Sequence, residues 1–330
     1  MATLRSPRHG SMQFWPRVRA QKAVPRIRSW NYTQNYSGLL GFAGYKVGMT
    51  HVVYEEDRKN SPNKGVDVAV PVTVVECSPL KIYSVRLYTK TYVGYQLVKE
   101  FVVSKEKELS RATRVPKKVD LEAVKKELSG LNLGEYADIR VLMYTVPKEL
   151  NLKKTPDLFE TGIGGSMSDK LNFVLENLTK PIRIQDVFKE FDMTDVASVT
   201  KGKGFQGPIK RYGMKIRDSK SEKTKRGPGS LSAGWRHQVV SMYRVGHAGQ
   251  MGYHTRNELN KLIVKISDKV DEINPKGGFL DYGFVNSDYV LIKGSVGGAR
   301  KRLVRLLRPK RVSKNIHQFK IKYVSLDSKQ

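Results

Sequence analysis

The sequence predicts a mainly β protein with an α/β insertion and long basic extensions, and three observations carry that reading. Short runs rich in Val, Tyr and Thr, bounded by Gly, Pro, Asn or Ser, occur in an early and a late set. Between the sets, apolar residues recur at helical spacing. Charge is segregated along the 330 residues, whose formal net charge is +29: residues 1–99 carry 15 basic and 5 acidic side chains, residues 100–195 carry 16 and 17, and residues 196–330 carry 29 and 9. The middle third has the balance of an ordinary soluble domain, and the excess toward the two ends marks a surface for a polyanion.

Residues 1–45 read as a basic N-terminal arm, and no acidic residue occurs before Glu55. Arg5, Arg8, His9, Arg17, Arg19 and Lys22 are candidate RNA contacts there, and Pro7, Pro16 and Pro25 break any helix. Phe14, Trp15, Trp30, Tyr32 and Tyr36 are interleaved with the cations. An extended arm of this kind offers guanidinium groups to phosphates and rings to unstacked bases; the alternative is a basic tail whose rings dock on its own domain.

Residues 46–100 form the first part of a β-domain, with strands expected at 47–55, 66–76, 82–88 and 92–98. The second part, 259–330, has expected strands at 262–266, 279–285, 289–292 and 319–324 and a basic C-terminal segment. Short strands at close spacing without intervening helices imply a barrel or a sandwich split by insertions. The 101–195 insertion holds the helical signals. Leu121, Val124 and Leu128 share a face ending at Gly130, and Leu171, Val174, Leu175 and Leu178 mark a second helix. Ser166 and Asp169 are spaced as a capping box for that second helix, and 139–146 reads as a strand.

Residues 196–258 form a glycine-rich basic finger. From 201 to 256 thirteen Lys and Arg face only Asp218 and Glu222, among ten glycines. Such a segment is short of apolar residues for a core of its own and is expected to take its final shape on RNA. Lys201, Lys203, Lys210, Arg211, Lys215, Arg217, Lys223, Lys225, Arg226, Arg236, Arg244 and Arg256 are its candidate phosphate contacts, with His237 and His254 for phosphate or base. Trp235, flanked by small and polar residues, stacks on a base or else folds back onto the β-domain. Near the end, Arg300, Lys301 and Arg302 form a basic ridge whose packed side is Leu303, Val304, Leu306 and Leu307.

Catalysis finds little support. His247 and His254 are seven apart with Gly249 and Gly252 between them, which argues against a shared helical face, and no zinc-protease or Cys/His spacing occurs. No Walker-type phosphate loop is present. Gly162-Ile-Gly-Gly165 reads as a loop leading to a helix cap, and Asp192 and Asp195 as solvated charge in a turn. Cys77 is the single cysteine, so no disulfide framework is expected and a small buried hydrophobe is the simplest role. No apolar run reaches a membrane-spanning length, and residues 1–10 lack the apolar core of a secretory signal.

Several motifs, in order along nearly the whole chain, resemble the archaeal form of the large-subunit ribosomal protein L-three family. They are Pro7-Arg-His-Gly-Ser11, Gly41-Phe-Ala-Gly-Tyr-Lys-Val-Gly-Met-Thr50, Lys201 to Gly207, Tyr212-Gly213, Gly234-Trp235, Ala248-Gly-Gln-Met-Gly-Tyr-His254 and Gly294-Ser-Val-Gly-Gly-Ala-Arg-Lys-Arg302. The resemblance implies a Greek-key β-barrel of the translation-protein type with an inserted α/β region, an N-terminal arm and a long internal finger. It also implies a structural, non-enzymatic role: binding large-subunit ribosomal RNA, nucleating assembly and reaching toward the peptidyl-transferase center, with Trp235 at the finger's tip. No cofactor or metal is implied. The implied partners are that RNA and neighbouring large-subunit proteins in the cytoplasmic ribosome, with no membrane and no independent homo-oligomer. An RNA-directed modifying enzyme would need a convergent acid, base or cofactor set, which is absent from the sequence. Composition alone does not separate the ribosomal reading from a free nucleic-acid chaperone.

Overall fold

A computed structural model describes residues 10–32, 36–58, 60–221, 224–229, 245–311 and 318–327. Its strands are β1 (Gly38–Leu39), β2 (Gly41–Glu55), β3 (Asp67–Glu76), β4 (Leu80–Thr91), β5 (Gly94–Val102), β6 (Asp138–Thr145), β7 (Leu158–Gly164), β8 (Met193–Val199), β9 (Gly202–Gln206), β10 (Gly249–Gly252), β11 (Thr255–Ser267), β12 (Tyr289–Lys293), β13 (Leu303–Leu307) and β14 (Ile321–Val324). The helices are α1 (Leu121–Ser129), α2 (Met167–Asn177) and the short α3 (Pro208–Tyr212). The chain divides into two compact units: a body, 23–198 with 256–330, and a basic unit, 1–22 with 199–255.

The body contains two sheets. A seven-stranded sheet runs β13-β8-β11-β12-β3-β2-β14, with β13 also pairing β2. The 15-residue β2 makes this possible by serving two partners on one edge: residues 41–45 pair with β13 and residues 52–54 with β14. Its other edge pairs with β3 from Tyr45 to Glu55. The expected Greek-key β-barrel is corrected here: the ring of strands is not a closed barrel. β8 lies between β13 and β11 in this sheet. Asn260 lies at φ 52, and its N–H goes at 2.9 Å to the Asp195 carboxylate rather than to a strand carbonyl. Just ahead of β8, Phe191 N–H donates to Ile263 O and Ile263 N–H to Asp192 O, both at 2.9 Å.

The second sheet, β1-β7-β6-β4-β5, contains the runs expected at 82–88 and 92–98. β4 therefore pairs with β5 and β6, and neither strand joins the larger sheet. The run at 279–285 is a turn, closed by the Phe279–Gly283 bridge with Gly278, Asp281 and Gly283 at positive φ. Asp195, read as solvated, lies in β8 at 2% exposure and accepts N–H bonds from Asn260 and Lys310. Asp192 pairs with Arg308 at 3.1 Å.

Helix starts and stops follow the local chemistry. Asp120 caps α1 by accepting the Glu122 and Ala123 N–H groups, and Gly130 follows its end. Ser166 and Asp169 form a reciprocal capping box on α2. Gly162 and Gly164, expected in a loop, lie in β7, and only Gly165 falls between that strand and the cap of α2. A Cβ at Gly162 would stand 3.0 Å from the Trp30 ring, and one at Gly164 2.4 Å from the Tyr36 carbonyl oxygen. One continuous core joins residues of both sheets and both longer helices, including Phe42, Val74, Cys77, Val85, Val141, Val174 and Leu306.

Candidate nucleic-acid interface

The basic unit is built on a β9–β10 pair, in which Gly249 faces Gln206 and Gly252 faces Gly202. Pro208 opens α3 at its first turn, and Gly213 at φ 70 ends it. This brings Tyr212 to the center of an aromatic and cationic stack. Its ring lies 6.0 Å from Trp15 at 13°, with the Arg17 guanidinium 4.6 Å and the Arg211 guanidinium 5.1 Å from its centroid. Small residues make room for the ring, since a Cβ at Gly10 or Gly246 would fall 2.4 or 2.7 Å from Tyr212 carbons. Gly252, at φ 70, has no space for one either, because the Lys201 carbonyl oxygen would be 2.0 Å away.

Two segments distant in sequence are laced together by the backbone. Ala20 N–H donates to Tyr253 O at 2.8 Å, Tyr253 N–H to Lys201 O at 3.1 Å, and the buried His254 ring meets Val18 O through Nδ1 at 2.8 Å. Arg19 stacks on Tyr253 at 5.3 Å. Arg211 donates from Nε to Gln250 O at 3.0 Å and from Nη1 to His247 O at 2.9 Å.

The candidate contacts therefore separate by what already engages them. Arg17, Arg211 and His254 are committed to holding this unit together through rings and carbonyls. Arg217 donates to Thr224 O at 3.2 Å but remains exposed. Lys22, Lys201, Lys203, Lys210, Lys215, Lys225 and Arg226 are exposed, with no carboxylate partner among the described residues. In the body, Arg256 and Arg302 are half-buried, Arg300 pairs with Asp281 at 2.6 Å, and Lys301 is exposed at φ 64. Arg5, Arg8, His9, Lys223, Trp235, Arg236, His237 and Arg244 lie outside the described residues. No group of three or more His, Cys, Asp or Glu among the described residues could hold a metal ion, and no helix among them is long and apolar enough to cross a membrane.

A family model described as ribosomal protein L3 matches residues 1–330. The chain belongs to the ribosomal protein L3 family. Proteins named large ribosomal subunit protein uL3 align over nearly their whole length. That of Methanobrevibacter smithii is 44% identical over 332 residues, covering 98% of each chain. That of Methanospirillum hungatei is 43% identical over 338 residues, covering 100% of each, and that of Archaeoglobus fulgidus 43% over 333 residues, covering 98% of each. The relatives are archaeal, in keeping with the form of the family whose motifs the sequence carries.

Phe205 was missing from the residues picked out by charge. It sits in β9 at 76% exposure, with the exposed Lys203 two positions before it. Its signal was present in the sequence: an aromatic among glycines and lysines, with no apolar neighbours to share a core.

Proposed function

We propose that this member of the L3 family contacts large-subunit ribosomal RNA chiefly through its basic unit, while the body supplies a folded anchor. The protein is a structural, RNA-binding component of the large ribosomal subunit in the cytoplasm, and not an enzyme. The observation that carries the mechanism is the set of exposed Lys and Arg heads on β9, α3 and the following loop that lack any carboxylate partner among the described residues. Unpaired cations at this density repel one another, and phosphates relieve that repulsion while releasing condensed counterions. Phe205 and Arg19 add planar surfaces on which unstacked bases rest.

The finer assignments follow the family resemblance: nucleation of subunit assembly, reach toward the peptidyl-transferase center, and base contact by Trp235. Protein partners are neighbouring large-subunit proteins, and the chain acts as one copy rather than as an independent homo-oligomer. Sedimentation tests the reading. Tagged chain expressed in cells should travel with the large subunit through high-salt gradients, and recovery only in the free-protein fractions would overturn it.

A further inference from the structure

The β4–β5 hairpin carries apolar surface that neither the core nor the turn requires. Its loop is Tyr92–Val93, between the paired Thr91 and Gly94. Loops of this length ordinarily hold Gly, Asn, Asp or Ser. Here Tyr92 is 102% and Val93 81% exposed, the two highest values among the exposed large hydrophobics of the described residues. Tyr95, Leu97 and Val98 continue the apolar surface along β5. The strand ends its sheet, so no described strand pairs with its outer edge. A free edge presents a row of unpaired N–H and C=O groups, which an extended chain satisfies.

Charge argues against RNA as the occupant. Lys99 pairs with Glu127 at 2.9 Å and Glu100 with Arg86 at 3.1 Å, leaving Lys90 as the one uncommitted charge of the hairpin's outer half among the described residues. A polyanion would find little to neutralise, in contrast to the lysines of β9 and α3. An apolar tip beside an open edge instead suits a polypeptide, whose backbone completes the sheet while its side chains cover the rings.

We propose that the β4–β5 tip and the outer edge of β5 form a docking surface for an extended segment of another large-subunit protein. The proposal rests on the ribosomal reading above. Its test places a benzophenone amino acid at position 92 of the full-length chain in assembled large subunits. Irradiation should join the chain to one neighbouring protein. A crosslink to ribosomal RNA, a crosslink to a second copy of this chain, or no product would overturn the proposal. In parallel, subunits assembled with Tyr92→Ser and Val93→Ser together should lose that neighbour several-fold, with the variant's own RNA affinity unchanged, since neither residue is core. Undiminished occupancy would overturn it as well. A chain that failed to enter subunits at all would overturn the ribosomal reading, and the docking surface with it.

Discussion

In the body, Arg140 lies between two carboxylates, 2.8 Å from Asp138 and 2.9 Å from Glu160, whereas in the basic unit Arg211 meets no carboxylate among the described residues and donates to the carbonyls of His247 and Gln250. Both guanidinium groups are anchored, but among the described residues only the first is neutralised. The same contrast holds for lysines. Lys170 is buried against Asp138 at 2.7 Å, while Lys201, Lys203 and Lys210 are exposed with no acidic partner among the described residues. The body thus uses charge to hold itself together, and the basic unit keeps its charge for something outside. Order and neutralisation are separable: rings, glycines and carbonyls can organise a cationic segment without spending its field.

The largest effect is expected where neutralisation is removed from the body. Asp138, 2% exposed, accepts from Lys170, from Arg140 and from Tyr32 at 2.6 Å, and this contact together with burial pushes the Tyr32 phenol upward. Asp138→Asn keeps the shape and strands the buried Lys170, so it should cost about 3–5 kcal/mol of body stability in denaturant titration. A loss too small to resolve would break the contrast on the body's side.

A smaller effect belongs to Arg211. Lysine keeps the charge but not the fork that reaches two carbonyls, so Arg211→Lys should loosen the basic unit by about 1–3 kcal/mol. Hydrogen exchange at Tyr253 and Ala20 should quicken while body amides stay protected. Uniform protection across both units in the variant would mean that the carbonyl contacts are dispensable.

Least is expected from acid. Burial raises the Glu160 carboxyl, but hydrogen bonds from Arg140 and Tyr88, together with the Arg140 and Arg86 charges, outweigh it and leave the group below its ordinary 4.5. A carboxyl depressed on folding stabilises the protein above its unfolded value, and that contribution fades as pH falls through the folded one. Body stability should therefore decline below about pH 4.5, and Glu160→Gln should flatten that decline. An acid limb of unchanged slope in the variant would assign the effect to other carboxylates.

What was legible in the sequence was what short-range chemistry decides. The capping box at Ser166 and Asp169, the stop at Gly130 and the buried Cys77 each depend on residues close by or on one side chain's polarity, and each is present. Pairing partners were not legible. The runs at 82–88 and 92–98 have strand composition, but nothing local says that β4 pairs with β6 instead of joining the larger sheet. Whether the ring closes was hidden for a similar reason, since it depends on pairings between strands far apart in sequence. At the interface, charge density was visible and commitment was not: Arg211 and Lys210 look alike in sequence, although only Lys210 is left exposed.

The most direct measurement is the salt dependence of affinity for a large-subunit ribosomal RNA fragment, compared between the natural chain and Lys201→Gln, Lys203→Gln and Lys210→Gln combined. If these groups meet phosphates, the slope of log K against log salt should fall in magnitude by roughly 2–3, at about 0.7–0.9 per contact. The body's melting transition should stay where it was. Identical slopes for the two proteins would show that these three unneutralised lysines do not face the RNA, and the contrast between the two units would lose its functional meaning.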